Sequence, residues 1–426
     1  MASTYLTRSI SSGSDLTKFT YSVWIKRSSF GSYQRIFSSD VTDSKDMYIR
    51  WQNSDELNGY HRSDSSTTVF AFETNAKYRD ANAWYHLVIK FDSTQSTQAD
   101  RLKVYVNGEE PSMSSITYPS QNQIANFMNS GEAQDIGYYR TSSGEYFDGL
   151  MSHIHFTAGY AYDASTFGST DSTTGEWKIN TSPNVTYGSL GYFILKDGNS
   201  ITDQSTNSNN FTVGGGTLTK TEDCPSNVFC TGNSLNKGSN VVLASGNNNI
   251  RNDQNTDEYA IGTIATGTGK YYWETYKHGG GTNGIGICLS NCNHTPTSVN
   301  ASRIMYLSDG TIYKTAWSLS DASVATFSHS DIVGVSLDTE NGILKFYKNG
   351  TLVDTTTNSI LQASNNEFIP MWYVNNGGES RANMGNGYFG TTAVSSAGTN
   401  ASGIGIFEYD VQPTDATALS TKGLNE

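Results

Sequence analysis

One segment is written twice in this chain: LKVYVNGE at Leu102 to Glu109 and LKFYKNGT at Leu344 to Thr351. In both, large apolar or aromatic residues alternate with polar ones, and the run ends in Asn-Gly, the dipeptide that best tolerates the two positive φ angles of a type I′ turn. Each copy is therefore expected to be a strand entering a tight hairpin. The two Asn-Gly pairs lie too far apart for the period of a solenoid or propeller and suit two β-sandwich domains in tandem.

Composition agrees with that architecture. The chain has 426 residues, enough for two cores, and is rich in strand-favouring aromatics, with 26 Tyr, 18 Phe and 7 Trp. Its formal net charge is −13 and neither half carries a basic excess, so a phosphate-tracking nucleic-acid binder is not expected, nor attachment to an anionic membrane. The densest apolar stretch, Phe368 to Val374, is strand-length and interrupted by Pro370, so no membrane insertion is expected. The opening MASTYLTRSISSGSD lacks the apolar core of a signal peptide, which points to synthesis in the cytoplasm. Four cysteines, as Cys224/Cys230 and Cys288/Cys292, read as reduced thiols, with a disulfide in either pair as the other option. No metal site and no cofactor are expected.

Phe19 to Ser29 alternates as a half-buried strand should, with Tyr21, Val23 and Ile25 on one face. RIFSSD, MYIRWQ, TTVFAFE and WYHLVIKFD follow at short spacing and suggest an antiparallel meander, extended by GLMSHIHFT at Gly149 and GYFILKDG at Gly191. The Ser- and Thr-rich run from Tyr162 to Tyr187 reads as a long excursion off the sandwich. A second series of strands includes GKYYWETYK, NGIGICLS, IVGVSLD and FIPMWYV. No useful helical period appears. The reading is an all-β protein with a first sandwich over 1–214, a connector over 215–238, a second sandwich over 239–392 and a C-terminal segment over 393–426.

Three groups of residues tie these halves to known families. SVWIKRS, then WYHLVIKFD at Trp84 to Asp92 and LKVYVNGE, resemble a LamG domain, which implies a concanavalin A-like jelly roll. GKYYWETY, GIGIC, DIVGVSLDTENGILKFYKNG and FIPMWYV resemble a SPRY domain, which implies a second such sandwich. That family usually has Asn-Phe-Gly where ANMGNGYFG stands, so Met384 is expected to alter the packing of the last strand. The LamG-then-SPRY order, together with MASTYLTRS, TEDCPSNVF and ALSTKGL, resembles structural proteins of marine tailed bacteriophages. The resemblance implies a virion surface component.

Catalytic chemistry finds little support. A glycosidase needs two carboxyl groups at a set separation, and the nearest pattern, Glu408-Tyr409-Asp410, meets Pro413 where a third acid would stand. Glu145 and Asp148 fall on opposite faces of an extended chain and read as solvated carboxylates. His153 and His155 share one strand face, as metal ligands could, but the flank of a core strand is the simpler reading. The expectation is no enzyme and no catalytic residue.

Sugar binding fits better, because sugars offer apolar C–H faces and rings of hydroxyls that exposed aromatics and Asn, Asp or Arg can meet. GYYRTSSGEYFDG at Gly137 to Gly149 has that composition. Tyr138, Tyr139 and Tyr146 are the expected stacking residues, with Arg140 and Asp148 as hydrogen-bonding partners. The expected function is a non-enzymatic phage surface protein, a fibre, spike or capsid decoration, that presents a carbohydrate- or receptor-binding surface. Its expected partners are other virion proteins, a host glycan or receptor, and its own copies, a trimer foremost. A purely architectural virion component is the alternative, with a glycoside hydrolase behind both.

Overall fold

The computed structural model describes residues 3–42, 45–140, 144–196, 200–292, 303–314, 319–364 and 366–425. The chain divides into two compact units, Met1–Lys220 and Thr221–Glu426. Both are built of strands, and the helices are single 3-10 turns. Among the described residues no helix is long and apolar enough to cross a membrane.

The first unit contains β1 (Tyr5–Ser9), β2 (Lys18–Arg27), β3 (Gln34–Thr42), β4 (Lys45–Trp51), β5 (Glu56–Arg62), β6 (Thr68–Lys77), β7 (Trp84–Asp92), β8 (Leu102–Val106), β9 (Met113–Thr117), β10 (Ala133–Ile136), β11 (Gly149–Ala158), β12 (Gly168–Thr170), β13 (Trp177–Ile179), β14 (Tyr192–Ile194) and β15 (Thr212–Gly215). They form an eight-stranded sheet in the order β15-β1-β10-β3-β4-β5-β6-β9 and a five-stranded sheet in the order β14-β11-β2-β7-β8. Only β3 to β6 make the expected meander, because β2 and β7 leave it to pair with each other over their whole length. The core lies between the sheets and takes alternate residues from each, among them Tyr21, Val23 and Ile25 from one and Met47, Ile49 and Trp51 from the other.

Nearly every residue of β2 is buried, a sign that both sheet faces are covered. The cover is the Tyr162–Tyr187 stretch. It does not leave the sandwich as expected but carries the small β12-β13 hairpin back over the five-stranded sheet, where Ala164 and Phe167 are buried against Val88. The reason is apolar burial: the polar run contains enough aromatic side chains, Tyr162, Phe167, Trp177 and Tyr187, to seal the outer face.

The second unit contains β16 (Gly232–Lys237), β17 (Val242–Ala244), β18 (Asn249–Asn252), β19 (Glu258–Gly262), β20 (Lys270–His278), β21 (Thr282–Leu289), β22 (Arg303–Leu307), β23 (Thr311–Tyr313), β24 (Ala322–Ser323), β25 (Ile332–Asp338), β26 (Ile343–Lys348), β27 (Thr351–Thr357), β28 (Phe368–Asn375), β29 (Gly378–Asn383), β30 (Tyr388–Phe389), β31 (Thr392–Ala393) and β32 (Thr417–Ala418). A seven-stranded sheet, β16-β19-β28-β21-β22-β23-β24, faces an eight-stranded one, β17-β18-β29-β20-β25-β26-β27 with β32 added beside β20. Trp273, Ile285, Val335, Phe346 and Trp372 fill the space between, and Met384 is fully buried in the same core.

Residues 215–238 divide between the units. Gly215 ends β15, whereas Phe229 and Cys230 are fully buried in the second unit and β16 pairs with β19. The 393–426 segment is also part of the second unit's packing. Phe407, Val411, Ala416 and Ala418 cover Tyr272 and Tyr347, and β32 pairs in parallel with β20.

The repeated motif gives the same turn twice with different sequels. Asn107 and Gly108 have φ of 51° and 83°, Asn349 and Gly350 of 48° and 76°. In the second unit the chain returns along β26 as a full hairpin. In the first the return stops at the Val106–Glu109 bridge, and β9 crosses to the other sheet to pair with β6.

Candidate functional site

Of the faces built by β3, β4 and β5, one packs into the core through Phe37, Met47, Ile49, Trp51 and Leu57. The strand period then places Tyr48, Arg50, Asn58 and Tyr60 on the opposite, outer face, and a bulge in β3 between Arg35 and Phe37 brings Arg35 to that face opposite Arg50. Here aromatic rings and guanidinium groups alternate. Arg50 lies over Tyr33 at 4.4 Å and Tyr48 at 4.8 Å, and Arg35 lies over Tyr48 at 3.9 Å and Tyr139 at 3.8 Å. Each such contact is worth roughly 0.5–2 kcal/mol, so the ladder is held firmly in register.

Glu145 ties the two arginines together. Its carboxylate accepts from Arg35 Nε at 2.5 Å and from Arg50 Nη1 at 3.4 Å, and its main-chain carbonyl accepts from Arg35 N at 2.7 Å. It is therefore an ion-paired group and not the solvated carboxylate expected. Arg50 Nε also donates to Asn58 Oδ1 at 3.3 Å, and Tyr60 packs beside Tyr48 with ring centroids 5.6 Å apart. Tyr33, 39% exposed, forms the open end.

The five expected site residues do not form one group. Tyr139 joins the ladder. Tyr138 is buried between Tyr5 and Tyr146, at 4.3 and 5.0 Å, so its ring fills the middle of a stack whose half-buried ends are Tyr5 and Tyr146. Arg140 grips Asp135 through two bonds of 2.9 and 2.6 Å and Thr7 Oγ1 at 2.8 Å, which turns its Nε and Nη2 donors toward the protein. Burial raises the Asp148 carboxyl above the usual carboxylate range, and its carbonyl accepts from Ser28 N at 3.0 Å, so it is not a solvated group. Thr141 to Ser143 lie outside the described residues. Arg35, Tyr48 and Arg50 went unnoticed in the sequence, although the alternation of MYIRW already puts Tyr48 and Arg50 on one face.

The other candidates are accounted for by local structure. Glu408 accepts from Ser395 N and Oγ, and Asp410 from Thr399 N and Oγ1, so both carboxylates fix turns. A bulge in β11 sets His153 at φ 48° and breaks the simple alternation that would align it with His155. His155 stacks on Phe193 at 3.9 Å. Among the described residues no three His, Cys, Asp or Glu side chains are placed to hold a metal ion. Cys288 and Cys292 are joined in a disulfide, which corrects the expectation of reduced thiols for that pair, while Cys224 and Cys230 are not cross-linked to each other. His294, the histidine closest in sequence to Cys288 and Cys292, lies outside the described residues.

Residues 2–159 match the model of the concanavalin A-like lectin/glucanases superfamily, and residues 270–387 match that of the SPRY domain. The chain joins an N-terminal LamG-like domain to a C-terminal SPRY domain. Solved structures similar to it include the TRIM65 PSpry domain, at 12% identity over 36% of this chain and 88% of that one, with a TM-score of 0.30. The SPRY domain of human HERC1 is 15% identical over 35% of this chain and 96% of that one, with a TM-score of 0.30. Stonustoxin is 17% identical over 36% of this chain but only 27% of its own length, again with a TM-score of 0.30. No curated protein matches the chain. The Tyr–Arg ladder lies within the LamG-like domain, and the SPRY domain supplies the hairpin of Asn349 and Gly350.

Proposed function

We propose that this is a non-enzymatic binding protein of a phage particle surface, and that its LamG-like domain holds carbohydrate on the outer face of the eight-stranded sheet. The ladder Tyr33–Arg50–Tyr48–Arg35–Tyr139 carries the proposal. Its rings offer flat apolar surface to sugar C–H faces, and the hydrogen-bonded Arg50 and Asn58 set polar groups beside them. The contacts among these side chains set their positions before a ligand arrives, so little ordering cost remains on binding. In this reading the protein works as a homo-oligomer beside other virion proteins and faces a host-surface glycan.

A glycan array probed with the full-length protein tests this, with Tyr33→Ala, Arg50→Ala and Tyr139→Ala alongside. Binding by the wild type, weakened by about 2 kcal/mol or more in variants that melt like it, is the expected result. If the folded wild type binds no sugar and the variants instead impair particle assembly, the same face is architectural.

A further inference from the structure

The cover over the five-stranded sheet rests on two imidazoles. Trp177 Nε1 donates to His86 Nδ1 at 2.9 Å, and its ring lies so close to Gly108 and Gly168 that a Cβ on either would come within 2.4 and 2.6 Å of it. An indole N–H can only donate, so His86 Nδ1 carries no proton. The other nitrogen, Nε2, lies 2.9 Å from Ser22 Oγ and holds the single hydrogen of a neutral ring, which stacks on Trp24 at 4.7 Å. Further along the cover, the Tyr187 hydroxyl lies 2.9 Å from His155 Nδ1. Both histidines are almost wholly enclosed, at 0% and 2% exposure.

We infer that the segment from Tyr162 to Tyr187 is a lid released by mild acid, because the bond that anchors Trp177 needs His86 as a neutral acceptor, and a proton taken up by His155, enclosed beneath Tyr187, would leave a second cation buried. A proton on His86 Nδ1 turns the acceptor into a donor facing the indole N–H, so that bond is lost and a cation is left enclosed. Gly159 and Gly188, with φ of 86° and 67°, flank the segment as hinges. Opening bares Trp24, Val88 and Phe193.

Burial pushes the His86 imidazole down to about 3 and that of His155 well below its ordinary value. In the open state both regain ordinary values, near 6.5. Below that pH each imidazole favours the open lid by about tenfold per pH unit, and the two together by about a hundredfold. The other ionisable groups against the lid are Lys90 from β7, Lys103 and Tyr105 from β8, His153 from β11, and Lys196 and Asp203 around β14. On the lid itself, burial alone would raise the Asp163 carboxyl, but Lys90 and Tyr105 hold it below the usual range. That latch therefore stays charged through the interval in which the histidines take up protons.

Hydrogen exchange on the full chain at pH 7 and pH 5, corrected for intrinsic rates, reads the lid directly. The amides of Phe167, Asp171 and Asn180, all bonded within the lid, should lose protection at pH 5 while those of β2 and β7 keep theirs. A double variant, His86→Asn with His155→Asn, keeps an acceptor near each Nδ1 position without titrating and should abolish the pH response. Trp177→Phe should open the lid already at pH 7, which keeps the test available if the double variant fails to fold. Equal lid protection at both pH values, loss only together with β7, or an unchanged response in the double variant overturns the inference.

Discussion

Asn107 satisfies both main-chain polar groups of His86: its N–H donates to the His86 carbonyl at 2.8 Å, and its Oδ1 accepts the His86 N–H at 2.8 Å. Asn349 does the same for Ile332 at 2.8 Å on both sides. The asparagine of each turn thus has two duties, to sit at positive φ and to tie the turn to the neighbouring strand. Asn107→Gly and Asn349→Gly keep the first and the main-chain bond of the second but lose the Oδ1 bond, so each should cost about 1 kcal/mol in urea unfolding. Aspartate separates the two sites. Asn107→Asp retains the acceptor and should cost less than the glycine, whereas Asn349→Asp places a second carboxylate where Asn349 Nδ2 now donates to Asp331 at 2.7 Å and should cost more.

The glycines of these turns are covered in a parallel way. A Cβ at Gly108 would come within 2.4 Å of the Trp177 ring, and one at Gly350 within 2.7 Å of that of Tyr409. Valine at either position adds this clash to the strain of a β-branched residue at positive φ, for a loss of about 3 kcal/mol or more. Gly267→Val, at ordinary φ with no atom nearer than 3.6 Å, should cost far less. In a double-mutant cycle with Gly108→Ala, Trp177→Ala should recover part of the loss, and strict additivity would show that the ring does not press on the turn.

Fragments should fold along the boundary between the compact units. Residues 1–220 and 221–426 should each give β-rich circular dichroism and a cooperative melt. A fragment of residues 239–426 lacks β16 and the buried Phe229 and should be less stable than 221–426 by about 3 kcal/mol or more.

The two fragments should respond to pH in opposite senses. In the first, burial pushes His61 down to about 4 and His86 to about 3. The unfolded chain binds protons first, so stability is complete above pH 6.5 and falls as pH drops toward those values, by up to about 1.4 kcal/mol per unit for each histidine. In the second, burial raises Glu274 to about 7, against the pull of the Glu408 and Tyr409 N–H groups at 2.8 and 2.9 Å. Here the folded state holds the proton more tightly, so the Glu274 contribution declines as pH rises from 4.5 to 7 and is flat above. Urea titrations of wild type and Glu274→Gln, subtracted at each pH, should show this slope and no slope above pH 7.

The strands and the two turns were legible in the sequence because the signals that make them are local. Alternation every second residue sends Tyr21, Val23 and Ile25 to one face whatever else the chain does, and Asn-Gly takes positive φ with little help from its surroundings. What lies beyond the next turn was decided by tertiary structure. Identical turns lead to a full hairpin at Asn349 and to a change of sheet after Asn107, because β6 offers β9 an edge to pair with. Tyr138 and Tyr139 are neighbours in a promising loop, yet one ring enters a stack inside the fold and the other covers Arg35, a residue more than a hundred positions away. The polar stretch around Trp177 read as an excursion off the first sandwich, and the tail around Phe407 as a segment beyond the second, because their few apolar side chains carry no period. They became cover because burial rewards contact with a preformed sheet, and only the folded chain supplies that sheet.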